Sequence, residues 1–457
     1  MNQEYIQIHE AMKAYFESGA TLDVAKRKAT LRKLKATLKE WEPRLMEAIM
    51  LDLGKSRFEA YETEIGIVQA EISHTLKHLS RWAKAKRVST PLAHFPSSSR
   101  ILKQPKGLVL VMSPWNYPIQ LALVPLAAAI SAGCCVLLKP SRYSVNVSRV
   151  LCEMFDSSFD SRLIKVVEGG HQANSELLEL RWDHIFFTGS PNVGKVVMEA
   201  ASRHLTPVTL ELGGKSPVII DGSMDMALAA RRLAWGKFLN AGQTCVAPDY
   251  LLIDERCKEE FKKEFEKATR KMYPGLLESP DLGRIINEKH FNRLKGLLEG
   301  QRVVFGGQCD DKSLRIAPTL LEDTNPDSPI MQEEIFGPIL PMLTYRSFDE
   351  ALSFIRGREK PLALYIFSKD RRHINAVQQT LTYGGGCVND TVVHLSNPSM
   401  PFGGVGSSGM GSYHAKQGFD TFTHEKSVLR KALWLDIPVR YAPYDDRLTR
   451  LLRLLLR

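Results

Sequence analysis

The sequence has no Cys-x-x-Cys pair and no His-Glu-x-x-His run, so a bound metal is not expected. Its seven cysteines are odd in number and irregularly spaced. That argues against a disulfide framework and for a reducing, cytoplasmic compartment. The N-terminus, Met1-Asn-Gln-Glu-Tyr5, lacks the basic-then-apolar order of a secretory signal. No arginine-rich tract accompanies the net charge of +10. The surplus is scattered, so nucleic acid is not an expected partner, although an electropositive site for a phosphorylated cofactor fits it. The one long apolar run, Ile119 to Leu138, is broken by Gln120, Pro125, Ser131 and Gly133. It reads as a buried helix and a buried strand, not a membrane span.

What remains is a chain of globular composition, 44% hydrophobic and 25% charged. At 457 residues it is too long for one core. Residues 1–85 read as amphipathic helices, with Leu31, Leu34, Leu38 and Trp41 at helical spacing between Ala25 and Asp52, and a further helix from Tyr61 to Lys84. Residues 86–106 are rich in Ser and Pro and suggest an edge hairpin at a boundary. From Gly107, short apolar strands alternate with helices: Leu108–Met112, Cys135–Leu138, Ile164–Val167, His184–Phe187 and Val208–Leu212. That is the βαβ pattern of an open parallel sheet that binds a dinucleotide, assigned to 107–208. Alternation resumes after Cys245, giving a second α/β domain at 209–394. Residues 395–457 hold a Gly-rich loop, an arm and a tail.

Two stretches concentrate the chemistry. In Asn240-Ala-Gly-Gln-Thr-Cys245-Val-Ala-Pro, a thiol sits in a short turn after the helix-like run Met224 to Leu239. It is either a buried, inert cysteine or a nucleophile among backbone N–H groups. In Thr209-Leu-Glu211-Leu-Gly-Gly-Lys-Ser-Pro217, 34 residues upstream, Glu211 alternates with leucines and precedes two glycines. It is an ion-pair partner or a general base raised by an apolar pocket. The strand-end loops add to this. Asn116, between Pro114 and Pro118, is a turn former or an oxyanion donor. Lys139-Pro-Ser-Arg142 ends the second strand, where such folds meet the adenosine ribose. Thr188-Gly189-Ser190-Pro-Asn-Val193-Gly194 opens a helix, a plain tight turn or a pyrophosphate cradle.

Together these motifs resemble the aldehyde dehydrogenase superfamily. Glu-Leu-Gly-Gly-Lys-Ser-Pro, Gly-Gln-Thr-Cys, Pro-Trp-Asn-Tyr-Pro, Leu-Lys-Pro-Ser, Phe-Thr-Gly-Ser and Met331-Gln-Glu-Glu334-Ile-Phe336-Gly-Pro stand in family order from about Leu51 to Val428. Val405-Gly-Ser-Ser-Gly-Met-Gly-Ser-Tyr-His414 and the run from Gly194 to Thr209 resemble its class 3 branch, whose substrates are fatty and aromatic aldehydes.

The resemblance implies an NAD- or NADP-dependent oxidation of an aldehyde to an acid. Cys245 would form a thiohemiacetal and then a thioester, Asn116 would hold the oxyanion, and Glu211 would activate water. Lys139 would meet the ribose hydroxyls, Gly189 and Ser190 the pyrophosphate, Glu334 the nicotinamide ribose and Phe336 the nicotinamide. Tyr61, Tyr117 and Thr244 would line an apolar tunnel, with Phe402 in a structured loop beside it. Arg142 departs from the pattern, since relatives often carry an acid there, and an Arg suits the 2′-phosphate of NADP. A homodimer is expected, with the 86–106 hairpin as one interface. The tail Leu448 to Arg457, apolar with spaced arginines, lies either on protein or on an anionic membrane surface. A thiol esterase and a non-catalytic binding protein are the two other classes these residues allow.

Overall fold

The computed structural model describes residues 2–436, 440–444 and 446–455. Two mostly parallel sheets organise it. The first has six strands in the order Gly409–Met410, Val208–Glu211, His184–Thr188, Leu108–Met112, Cys135–Lys139 and Ile164–Val166. All pairings are parallel except that of Gly409–Met410 with Val208–Glu211. The three central strands are buried along their whole length, because helices cover both faces. Their unbroken apolar runs follow from that burial, and the strands match the sequence reading to within about a residue.

The second sheet has seven strands, ordered Arg302–Phe305, Thr319–Glu322, Ile339–Tyr345, Tyr250–Asp254, Pro217–Ile220, Ala363–Phe367 and Gly385–Val388. The chain crosses from one sheet to the other at Leu212–Ser216, between Glu211 and the strand Pro217–Ile220. The Glu211 loop therefore lies where the two sheets approach.

The N-terminal helices brace the site. The helix Val24–Leu53 is capped by Asp23 and stops at Gly54, whose φ of 64° suits a residue without a Cβ. Near its end, Asp52 accepts the N–H groups of Asn146 and Val147 at 3.2 and 3.0 Å. The helix expected from Tyr61 to Lys84 divides into a π-helical turn, Tyr61–Ile65, and an α-helix, Gly66–Trp82. The helix Gln120–Ala132 is wholly buried. The hairpin expected over 86–106 forms from Lys86–Val88 and Ser97–Pro105, and a distant third strand, Thr423–Lys431, joins it. Among the described residues no helix is long and apolar enough to cross a membrane. The tail forms a helix, Asp446–Leu455, and residues 456–457 lie outside the described residues.

Candidate active site

Cys245 is set by a turn that few sequences can make. After the helix Met226–Phe238, Asn240, Ala241 and Gly242 all take positive φ, at 54°, 50° and 73°. Side chains avoid that region, so the turn is held from several sides. A Cβ at Gly242 would stand 2.2 Å from the Gly337 carbonyl oxygen. The Asn240 N–H donates to Glu59 Oε1 at 2.8 Å, and its Nδ2 donates to the Asn116 carbonyl at 2.8 Å. Gln243 Nε2 donates to the carbonyls of Asn240 and Arg284, while its Oε1 accepts the Ile286 N–H. The Asn and Gln of this motif are thus a brace for the thiol.

The same turn meets the Asn116 loop. Asn116, 3% exposed, donates from Nδ2 to the Gln243 carbonyl at 3.0 Å. The Tyr117 hydroxyl and Thr244 Oγ1 lie 2.6 Å apart. Burial pushes the Cys245 thiol far up, Glu334 and Glu211 push the same way, and the N–H groups of Cys245 and Val246 pull down. Glu211 ends the strand Val208–Glu211 and is 3% exposed. Neither of its carboxylate oxygens has a hydrogen-bond partner among the described residues. Burial raises its pKa well above the usual carboxylate range, because the low-dielectric surroundings disfavour the charged form.

Cys245 stands between two cavities and lines both. The first, about 210 Å³, is bounded by Glu62, Thr63, Tyr117, Leu121, Trp235, Thr244, Val392, Phe402, Tyr413 and His414 among others. Tyr117, Thr244 and Phe402 sit where the sequence reading put them, but Tyr61 does not. It is 44% exposed and outside this lining, because the π-helical turn delivers Glu62 and Thr63 to the cavity and leaves Tyr61 at the surface. Among the described residues no lysine or arginine lines this cavity.

The second cavity, about 310 Å³, runs from Cys245 past Asn116 and Glu211 to Gly189, Ser190 and Pro191. Ser190 caps the helix Pro191–Ser202 and accepts the Val193 N–H at 3.5 Å. Val193 itself is exposed, and Gly194 is buried where a Cβ would stand 2.9 Å from Leu212. Thr188 Oγ1 is buried and without a partner among the described residues, on the wall of the cavity.

Glu334 and Phe336 line the opposite side. The Glu334 carboxylate leans on Gly213, where a Cβ would stand 2.1 Å from Oε2, and it accepts the Gly214 N–H. Burial, aided by Asp249, pushes its pKa up to about 8. Phe336 takes a φ of 52° and meets Trp115 edge-on at 5.3 Å. Main-chain contacts hold this segment. Lys215 donates to the carbonyls of Ile330 and Glu333, both at 2.8 Å, and pairs with Asp249. Arg293 donates to those of Glu334 and Ile335 at 3.3 and 2.6 Å.

A third cavity, about 300 Å³, lies beyond the strand Cys135–Lys139, between Pro140, Ser141, Arg142, Val145, Ser148 and Glu168. Lys139 is buried and donates to the Pro140 carbonyl at 2.7 Å. Burial first, and then Arg142, lowers its pKa to about 8. Arg142 is exposed and stacks 5.0 Å over the Tyr143 ring.

The sequence reading missed His290, Arg293 and Glu168. His290 packs 5.2 Å from Trp115 on the wall of the second cavity, and Glu168 lines the third together with Arg142. Each comes from a helix or loop with no motif of its own.

Residues 2–428 match the model of the aldehyde dehydrogenase family. The chain is 50% identical over 438 residues to the 4,4'-diaponeurosporen-aldehyde dehydrogenase of Staphylococcus aureus, with 95% of each chain covered. It is 47% identical to human aldehyde dehydrogenase family 3 member B1, covering 96% of this chain and 94% of that one. The substrate-bound state of Staphylococcus aureus AldH has a TM-score of 0.98 at 48% identity, with both chains fully covered. A second similar structure is that of the P. syringae indole-3-acetaldehyde dehydrogenase AldA with NAD+, at a TM-score of 0.85 and 26% identity, covering 94% and 89%. The chain belongs to the aldehyde dehydrogenase family and is a nicotinamide-dependent oxidoreductase that converts aldehydes to carboxylic acids.

Proposed function

We propose that Cys245 is the nucleophile of this oxidation, Asn116 the oxyanion donor and Glu211 the general base of deacylation. The observation that carries this reading is the position of Cys245 at the junction of the two cavities, with Asn116 and Glu211 on the wall of one of them. The aldehyde enters through the cavity lined by Leu121, Trp235 and Phe402, and Cys245, once its thiol proton has passed to solvent, attacks the carbonyl carbon as the thiolate. The oxygen that gains charge is held by Asn116 Nδ2, whose other hydrogen is spent on Gln243, and by a backbone N–H beside Cys245. A bound nicotinamide dinucleotide supplies the two-electron acceptor that takes the adduct to a thioester. Glu211, whose carboxylate oxygens have no hydrogen-bond partner among the described residues, then takes a proton from the water that attacks the thioester. An acid whose pKa is raised by burial is a stronger base for that step than an ordinary carboxylate.

The residues of the second cavity fit the cofactor. The unpartnered Thr188 Oγ1, the capped helix start at Ser190 and the Gly213 surface free of a Cβ suit a pyrophosphate and a nicotinamide riboside. Gly189, Ser190, Val193 and Gly194 form the pyrophosphate end, with Glu334 and Phe336 at the riboside. Lys139 would meet the adenosine ribose, and Arg142, on the wall of the third cavity, would pair with a 2′-phosphate. NADP is therefore accepted at least as well as NAD. With no lysine or arginine lining it among the described residues, the substrate cavity disfavours aldehydes that carry a second anionic group. A homodimer joined through the exposed strand Thr423–Lys431 completes the reading, and the arginines of the tail helix suit an anionic membrane surface.

Absorbance of reduced nicotinamide, followed with aliphatic and aromatic aldehydes and with NAD and NADP separately, tests the proposal. Turnover abolished in Cys245→Ala supports it. Undiminished turnover in that variant would remove Cys245 from the chemistry.

A further inference from the structure

We infer that Lys55 and Glu64, a buried ion pair outside the cavities described above, are positioning residues that fix the Asn116–Tyr117 loop for catalysis. The inference rests on the proposed role of Asn116. Both side chains are wholly shielded from solvent, and Lys55 Nζ lies 2.9 Å from Glu64 Oε1. Burying two charges is costly, and an apolar pair of the same volume often packs as stably, so stability alone is a weak reason for it.

Among the described residues the remaining hydrogen bonds of the pair go to one loop, while Lys55 also acts on the charge of buried Glu59. Lys55 Nζ donates to the Asn116 carbonyl at 3.2 Å and lies 4.0 Å from the Tyr117 ring centre. Glu64 Oε2 accepts the N–H groups of Ile119 and Gln120, at 2.9 and 3.0 Å, where the helix Gln120–Ala132 begins. Residues 116–120 are thus gripped at both ends. The π-helical turn Tyr61–Ile65 serves the same purpose, since it sends Glu64 inward while Glu62 and Thr63 face the substrate cavity. Asn240 Nδ2 supplies a second donor to the Asn116 carbonyl from the Cys245 side. The main chain of Asn116 is therefore clamped between the N-terminal helices and the nucleophile turn, and its side-chain amide is aimed by that clamp. An oxyanion donor works only when its hydrogen meets the place where charge develops, and small displacements are costly in rate.

The test is a cycle of four proteins: wild type, Lys55→Met/Glu64→Gln, Asn116→Ala and the triple variant. Removing both charges together avoids leaving either member of the pair as an unpaired ion, and Glu59, which loses the nearby Lys55 charge, keeps the Asn240 N–H. The pair variant is expected to lower kcat by about 10- to 100-fold, with KM for the nicotinamide cofactor within about twofold of wild type. In the Asn116→Ala background the same change is expected to add almost nothing, because its target is gone. Losses that multiply in the triple variant overturn the inference, as does a folded pair variant with full kcat. An Asn116→Ala enzyme at full speed overturns the oxyanion assignment itself, and the positioning role with it. If the pair variant does not fold, Glu64→Asp, which keeps the charge and shortens its reach, is measured in the same cycle.

Discussion

Asn116 Nδ2 donates to the carbonyl of Gln243, two residues before Cys245, so the proposed oxyanion donor and the turn that carries the proposed nucleophile are built as one unit. Asn116→Ala should therefore lower kcat by about 10²- to 10³-fold, the usual cost of a lost oxyanion donor. KM for the cofactor should change little. Steady-state kinetics decide it, and an equal rise in KM with kcat intact would assign Asn116 to binding.

Arg142 and Glu168 both line the cavity beyond Lys139, so a phosphate bound there would meet opposite charges. Arg142→Glu should shift the ratio of kcat/KM for NADP over NAD at least about tenfold toward NAD, as expected where a charge-assisted pair to a phosphate is lost. Glu168→Gln should shift the same ratio toward NADP. An unchanged ratio in both variants would place the side chains away from the ribose.

The substrate cavity adjoins another of about 200 Å³ that shares Glu62, Ile67, Leu395, Ser396 and His414 and runs past Gly66 and Ala70. Ala70→Trp should raise KM for long unbranched aldehydes by about tenfold or more, the transfer value of roughly two methylenes, and leave short ones unaffected. Equal effects on both lengths would show that the substrate does not reach that far.

Burial of Glu211 makes the folded state hold its proton more tightly than the unfolded chain does. Stability from this group is then fully present below the unfolded carboxylate pKa and is lost as pH rises toward the folded one. Glu211→Gln should melt about 1–3 °C above wild type at pH 8, with the difference shrinking toward pH 4. A difference that grows on acidification would have the sign wrong. The carboxylate that catalyses is, on this account, a liability to the fold.

Much of the site was legible because its chemistry sits in contiguous motifs at strand ends. Cys245 and Asn116 line the cavities from turns that the strand pattern singled out, and Tyr117, Thr244, Glu334 and Phe336 line them too, the last two being legible only through the family resemblance. Tyr61 was not, because a π-helical turn breaks the 3.6-residue period on which the helix reading depended. Lys55 and Glu64 belong to no motif, and only the packing of the N-terminal helices against residues 116–120 reveals them as a buried pair. His290 and Glu168 arrive from separate elements, and no spacing along the chain could join them to the motifs.

The central claim is an acyl group on Cys245 that Glu211 helps to remove. The measurement that tests it most directly is intact and peptide mass spectrometry of the Glu211→Gln protein, quenched after mixing with an aldehyde and a nicotinamide cofactor. The account predicts a mass increase equal to the acyl group on the peptide bearing Cys245, persisting far longer than in wild type. An acyl group on another residue, or none while reduced nicotinamide still appears, would contradict it.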